Sequence, residues 1–123
     1  MTLASTIQTA DWKKEKHAPV IECPDAVKAG EVFEVQVSVG KEIAHPNTAE
    51  HHISWIALYF QPEGDKFPYQ VGHFEFSGHG EGTVFTTPSA NVSLKVDKPG
   101  ALRAMSFCNL HGLWESSQEI GVG

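Results

Sequence analysis

Phe33-Glu34-Val35-Gln36-Val37-Ser38-Val39 places an apolar side chain at every second position and a polar one between each pair. That period of two is the signature of a strand with one wet face. Asn91 to Asp97 repeats it, with Val92, Leu94 and Val96 alternating with Ser93, Lys95 and Asp97. His52 to Gln61 and Leu102 to Cys108 are apolar on both sides, as expected of strands inside a sandwich or covered by a partner subunit. Weaker strand signals cover Pro19 to Cys23, Tyr69 to Phe76, Thr83 to Thr87 and a short piece near Glu115 to Ile120. Turn residues at Pro24-Asp25, Pro62-Glu63-Gly64, Ser77-Gly78 and Pro99-Gly100 separate them. No stretch carries a sustained helical stripe, and only Thr2 to Trp12 has room for a turn or two of helix. The expected fold is all-β, an immunoglobulin-like β-sandwich of about seven strands or a small barrel.

Composition agrees with that reading. Val and Ile together number 17 against 6 Leu, and 12 residues are aromatic, the types that pack on a pleated, half-buried surface. At 123 residues the chain is expected to form one domain spanning 1–123, large enough to hold a core without disulfide staples. The longest apolar run, Trp55 to Phe60, is six residues, far short of the roughly 20 that cross a bilayer as a helix. The N-terminus has no basic stretch followed by an apolar one, so no secretory signal is read and the cytoplasm is the expected compartment. A net charge of −6, with no basic cluster beyond Lys13-Lys14 and Lys16, argues against nucleic acid as a partner.

The chemistry then rests on seven histidines and two cysteines. His17 follows Glu15-Lys16; His45 and His51 bracket a Pro46 to Glu50 loop; Cys108-Asn109-Leu110-His111-Gly112 completes the pattern. A Cys-x-x-His spacing across a tight turn lets a thiolate and an imidazole address one centre, with Asn109 and Gly112 tolerating the positive φ such a turn can need. By itself this spacing is more often an inert buried Cys beside a surface His. Loop histidines at two further places favour a metal site of several imidazoles and one thiolate. Such donors suit Fe(II), Zn or Cu rather than Mg or Ca. Five N/S donors exceed the four of a structural zinc site, and iron accommodates five. A blue-copper site would need a weak axial Met, and Met105 reads as a core side chain.

Three linked stretches resemble the one-iron superoxide reductases, also called neelaredoxins, of the desulfoferrodoxin iron-binding domain family. They are Glu15-Lys16-His17 with Pro19-Val20-Ile21, Gly40 to Ile53 including His45-Pro46-Asn47-Thr48-Ala49-Glu50-His51, and Cys108-Asn109-Leu110-His111-Gly112-Leu113-Trp114-Glu115. The resemblance covers nearly the whole chain and implies an immunoglobulin-like β-sandwich. It also implies one iron per chain, cycling between Fe2+ and Fe3+, held by His17, His45, His51 and His111 around it and Cys108 on its axis. Glu15 would be the sixth ligand of the ferric state and Lys16 the cation beside the open position. The implied reaction is one-electron reduction of superoxide to hydrogen peroxide, with rubredoxin or a similar small redox protein restoring the iron. A homo-oligomer, commonly a tetramer, is implied as well.

Two features depart from the family pattern: Ala44 stands where a proline is usual before the first loop ligand, and the segment from His79 to Pro88 is shorter. Neither alters the ligand set. The absence of Cys-x-x-Cys argues against a second iron module. His52, His73 and His79 are expected to make surface or satisfied polar contacts, and Cys23 has no evident partner. Gly78-His79-Gly80-Glu81-Gly82 lacks the ending of a phosphate loop and reads as a turn. The competing reading is a non-enzymatic iron or copper electron-transfer module. Such a carrier needs neither a labile carboxylate like Glu15 nor a cation like Lys16 at its mouth.

Overall fold

A computed structural model describes residues 1–123. The chain forms nine strands: β1 (Gln8–Thr9), β2 (Val20–Glu22), β3 (Ala26–Val27), β4 (Phe33–Ser38), β5 (Ile53–Pro62), β6 (Tyr69–Glu75), β7 (Ser89–Leu94), β8 (Gly100–Cys108) and β9 (Gly112–Val122). Short 3-10 turns occupy Leu3–Thr6 and Glu81–Thr83. The larger sheet runs in the order β1, β9, β8, β5, β6, with β3 also pairing β9, and the smaller in the order β2, β4, β7. No helix is long and apolar enough to cross a membrane.

The alternating stretch that opens the reading behaves as its period demands. In β4, Phe33, Val35 and Val37 are buried and Glu34 is exposed. The opposite wall of the core comes from the even-numbered residues of the larger sheet: Ile56, Leu58 and Phe60 from β5, Leu102 and Ala104 from β8, and Ile120 from β9. Burying apolar side chains of this size stabilises by roughly 1.5–3 kcal/mol each, and this two-walled core holds the sandwich together.

Four expectations change. Thr83 to Thr87 is no strand: a 3-10 turn fills its start and only an isolated bridge pairs His79 with Phe85. Here Gly82 and Thr83 take positive φ of 57° and 63°, which no ladder accommodates. The last strand is long rather than short, because β9 pairs with β8 from Gly112 opposite Cys108 to Ile120 opposite Gly100; its polar middle hides it from a hydrophobic pattern. The strand expected over Asn91 to Asp97 instead spans Ser89–Leu94, starting two residues earlier and ending three earlier, with Val92 paired to Val35 and Leu94 to Phe33. The N-terminal segment has one 3-10 turn and then the parallel strand β1 against Trp114 and Glu115.

Candidate metal centre

Three segments meet at one end of the sandwich. The first arrives through β1 and a turn in which Asp11 accepts hydrogen bonds from the Lys13 and Lys14 amides. It delivers His17, which is buried. The buried Ser106 hydroxyl donates to the His17 carbonyl at 3.1 Å. The Glu15 carboxylate accepts from the His17 amide, from His17 Nδ1 and from the Ala18 amide. With Nδ1 committed to a carboxylate, Nε2 is left to present its lone pair on the other side of the ring.

The second segment leaves β4 and turns at Gly40, whose φ is +89° and where a Cβ would stand 2.8 Å from the His45 amide nitrogen. Glycine is required there by both conformation and space. His45 Nδ1 donates to the Pro46 carbonyl at 2.7 Å, which directs Nε2 inward. Thr48 closes the turn that carries His51: its amide donates to the His51 carbonyl at 2.9 Å and its hydroxyl accepts from the His51 amide at 3.0 Å. The third segment is the hairpin between β8 and β9, where Cys108 faces Gly112. Gly112, not Asn109, supplies the positive φ, 78°. That turn aims His111 Nδ1 back at Cys108 Sγ, 3.7 Å away.

The four imidazoles stand around a square. Ring centres of neighbours are 4.9 Å (His17 and His45), 4.7 Å (His45 and His51), 5.0 Å (His51 and His111) and 4.8 Å (His111 and His17), while His17 and His51 face each other across 6.3 Å. Candidate ligand atoms of His17, His45, His51 and Cys108 lie within 4.8 Å of one another. His17 Nε2 is 3.1 Å from His111 Nδ1. Imidazole nitrogens about 2.1 Å from a first-row metal ion and at right angles stand about 3.0 Å apart. His45 Nε2 and His51 Nε2 are buried with no hydrogen-bond partner, a cost native proteins rarely accept without a ligand. Cys108, fully buried, adds a soft sulfur donor. This donor set fits iron.

Burial first, and neighbouring positive charge second, favour the neutral forms of His45 and His51. Burial pushes His45 down from its ordinary value to about 4, and the positive charges of His17, His51 and Lys16 add to the effect against a raising hydrogen bond to Pro46. Burial likewise lowers His51, with His111 and Lys16 contributing. Lys16 therefore projects its field onto the ligand ring. Burial works to raise Glu15, but the hydrogen bonds from His17 and Ala18 outweigh it and hold the carboxyl below its usual range. Glu15 thus sits behind His17 here, on the side away from the other three imidazoles.

The structure brings His17, His45, His51, Cys108 and His111, the five donors singled out in the sequence, to one place. The sequence reading passes over Trp114, whose indole stacks on His17 with centres 4.8 Å apart and planes 12° from parallel. It also passes over Ser106 and the side chain of Asn109. Their roles depend on which strands face one another. His52 stacks on His79 at 3.5 Å, and both rings are hydrogen-bonded, to the Thr48 carbonyl and to Asn47. They are satisfied polar contacts, as expected.

Comparison with known proteins follows the same line. Residues 9–117 match the Desulfoferrodoxin family. The chain is 57% identical to the neelaredoxin of Megalodesulfovibrio gigas, covering 99% of both proteins. It is 53% identical to the superoxide reductase of Pyrococcus furiosus, over 93% of this chain and 95% of that one. Among solved structures, the reduced superoxide reductase (neelaredoxin) of Archaeoglobus fulgidus superposes with a TM-score of 0.85 at 55% identity, covering 94% of this chain and 98% of that one. With a sandwich of this kind, a four-imidazole ring over a buried thiol and similarity along almost its full length, the chain belongs to the desulfoferrodoxin family.

Proposed function

We propose that the protein is a superoxide reductase, an oxidoreductase that uses one iron per chain, held by His17, His45, His51, His111 and Cys108. The observation that carries this reading is the pair of buried, partnerless Nε2 atoms of His45 and His51 in a ring completed by two more imidazoles and a buried thiol. Bound iron would supply the single electron that superoxide takes up with two protons to become hydrogen peroxide. The protein's own part is to keep His45 and His51 unprotonated at neutral pH, so that a cation meets lone pairs and displaces few protons. Ferrous iron with neutral imidazoles and one thiolate leaves the centre at net +1, attractive to an anion. Lys16 adds a second positive charge whose field reaches His45 and His51. Glu15 is the carboxylate available as sixth ligand in the ferric state, at the expense of its hydrogen bonds to His17 and Ala18.

A donor must return the electron, and rubredoxin or a similar small redox protein fits that need. A homo-oligomer, a tetramer by resemblance, is supported by the outer face of the larger sheet, where Trp55 stacks on Phe107 at 5.7 Å and Leu113 pairs with Phe107. A reducing compartment such as the cytoplasm suits a chain whose two cysteines are both free. We assign residues 1–123 to one domain.

The reading is tested by stoichiometry. Reduced, iron-loaded protein exposed to a known dose of superoxide should form one peroxide for each superoxide consumed, one electron being drawn from the protein each time, and release no dioxygen. Sustained turnover without a reductant, with dioxygen as second product, would instead identify a dismutase.

A further inference from the structure

Asn109 follows Cys108 and is exposed, yet both ends of its side-chain amide are hydrogen-bonded to backbone. Its Oδ1 accepts from the His52 amide at 2.8 Å and its Nδ2 donates to the Glu50 carbonyl at 3.0 Å. Its own amide donates to the His52 carbonyl at 3.2 Å. The two side-chain bonds end on the residues immediately before and after His51. The carboxamide therefore brackets one imidazole donor while its backbone is bonded covalently to the thiol donor. It does so where the regular ladder fails: β5 and β8 pair Ile53 with Cys108, the register shifts between Ile53 and Trp55, and no strand pairing extends beyond Cys108. A side-chain amide, with one donor and one acceptor spaced like those of a peptide unit, adds the missing rung.

We propose that Asn109 is a positioning residue that sets His51 relative to Cys108, and that its role is to fix the geometry of the centre rather than to stabilise the fold. The inference rests on the metal-centre reading above. Chemistry restricts the position to a carboxamide of this length. Aspartate keeps the acceptor for the His52 amide but turns an oxygen toward the Glu50 carbonyl, alanine loses both bonds, and glutamine is one methylene too long to reach both ends from the same backbone. Because these bonds are exposed, water replaces them at little cost in stability. What water does not replace is the fixed spacing between the two donors. Partners that orient metal ligands through hydrogen bonds are commonly worth 10–100-fold in metal affinity.

Asn109→Ala and Asn109→Asp are compared with the parent and with Gln36→Ala, which removes a side-chain bond to Ser89 at 3.1 Å in the other sheet. In metal-free protein, amide hydrogen exchange should show the His52 N–H exchanging about ten-fold faster or more in Asn109→Ala, which removes its acceptor, and by less in Asn109→Asp, which keeps it, if the bracket holds His51 in place. In iron-loaded protein, both should lose iron to a chelator about ten-fold faster or more and shift the thiolate-to-iron absorption band, with Asn109→Asp the more affected. Gln36→Ala should change neither. A His52 amide as protected in Asn109→Ala as in the parent overturns the bracket, and parental iron loss and band position in that variant overturn its role toward the metal. A parent that takes up no iron fails the metal-centre reading itself, while the metal-free exchange result still judges the bracket.

Discussion

Trp114 touches two residues of the imidazole ring of the centre at once: its indole lies against the His17 ring, and its Nε1 donates to the His111 carbonyl at 3.2 Å. It stands on the inner face of β9, opposite Ser106 of β8, whose hydroxyl holds the His17 carbonyl. One cross-strand pair therefore grips His17 by ring and by backbone.

Trp114→Leu should loosen both imidazoles. An aromatic pair contributes about 0.5–1.5 kcal/mol beyond its buried area, so urea unfolding of metal-free protein should move to lower midpoint, and iron should leave faster to a chelator. Trp114→Phe, which keeps a ring against His17 but not the hydrogen bond to His111, should fall between parent and Trp114→Leu in both measurements. Equal iron retention in all three would detach Trp114 from the centre.

Cys108→Ser should abolish the colour of the oxidised protein even where some iron stays bound, because a hydroxyl does not supply the thiolate-to-iron charge transfer. Cys23→Ser should leave the spectrum unchanged. Cys23 packs at the edge of the core, and burial, with Asp25 beside it, pushes its thiol up, so at neutral pH it stays protonated and unreactive. Absorption spectra of the two oxidised variants against the parent decide the matter.

The donors of the centre were legible because each belongs to a local pattern: Glu15-Lys16-His17, His45 with His51, and Cys108 with His111. The shell around them was not, since Trp114, Ser106 and Asn109 acquire their partners only through the pairing of β5, β8 and β9. The fold divides along the same line. Strand β4 was readable because Phe33, Val35 and Val37 alternate with polar residues. Strand β9 reads as short because Glu115 to Glu119 is polar, and it is a long strand because β8 pairs with it throughout. The two-residue strands β1 and β3 exist only as parallel additions to β9, with no periodicity of their own to detect.

Acid should weaken the metal-free protein through His45. Its folded value lies near 4 and its unfolded value near 6.5, so the unfolded chain binds the extra proton first as pH falls. Stability is complete above about pH 6.5, declines between there and about 4, and is lost to this group once both states are protonated. His51, lowered in the same direction, steepens the fall. Urea midpoints of metal-free protein from pH 7.5 down to 4.5 should drop more for the parent than for His45→Gln, which has nothing to protonate there. Parallel curves would remove His45 from the acid response.

Glu15 and Lys16 are adjacent in sequence and should fail in opposite ways. In an extended strand Glu15 and His17 would share one face and Lys16 the other; here the segment is irregular, with the Glu15 carboxylate folded back on His17 and Ala18 and the Lys16 charge acting on His45 and His51. For an ammonium about 6 Å from an incoming anion, the attraction is roughly 0.7 kcal/mol at the dielectric of water and about 2.8 kcal/mol at an effective value of 20, about a 3-fold to 100-fold effect on capture. Lys16→Ala should therefore slow the second-order reaction of reduced protein with superoxide by a factor in that range. The loss should shrink as salt rises, because screening acts over about 8 Å at physiological ionic strength. Glu15→Ala removes a negative charge held behind His17, so capture should be unchanged or slightly faster. It also frees the Nδ1 that the carboxylate holds, so the ferric spectrum should change and iron should be lost more readily, and Glu15→Gln, which keeps an acceptor for the two amides, should retain more iron than Glu15→Ala. Pulse radiolysis of the variants across a salt series, with iron content measured on each, separates the two roles: parental capture by Lys16→Ala at low salt would remove that lysine from the reaction, and slowed capture by a fully iron-loaded Glu15→Ala would show that the carboxylate serves the substrate rather than the metal.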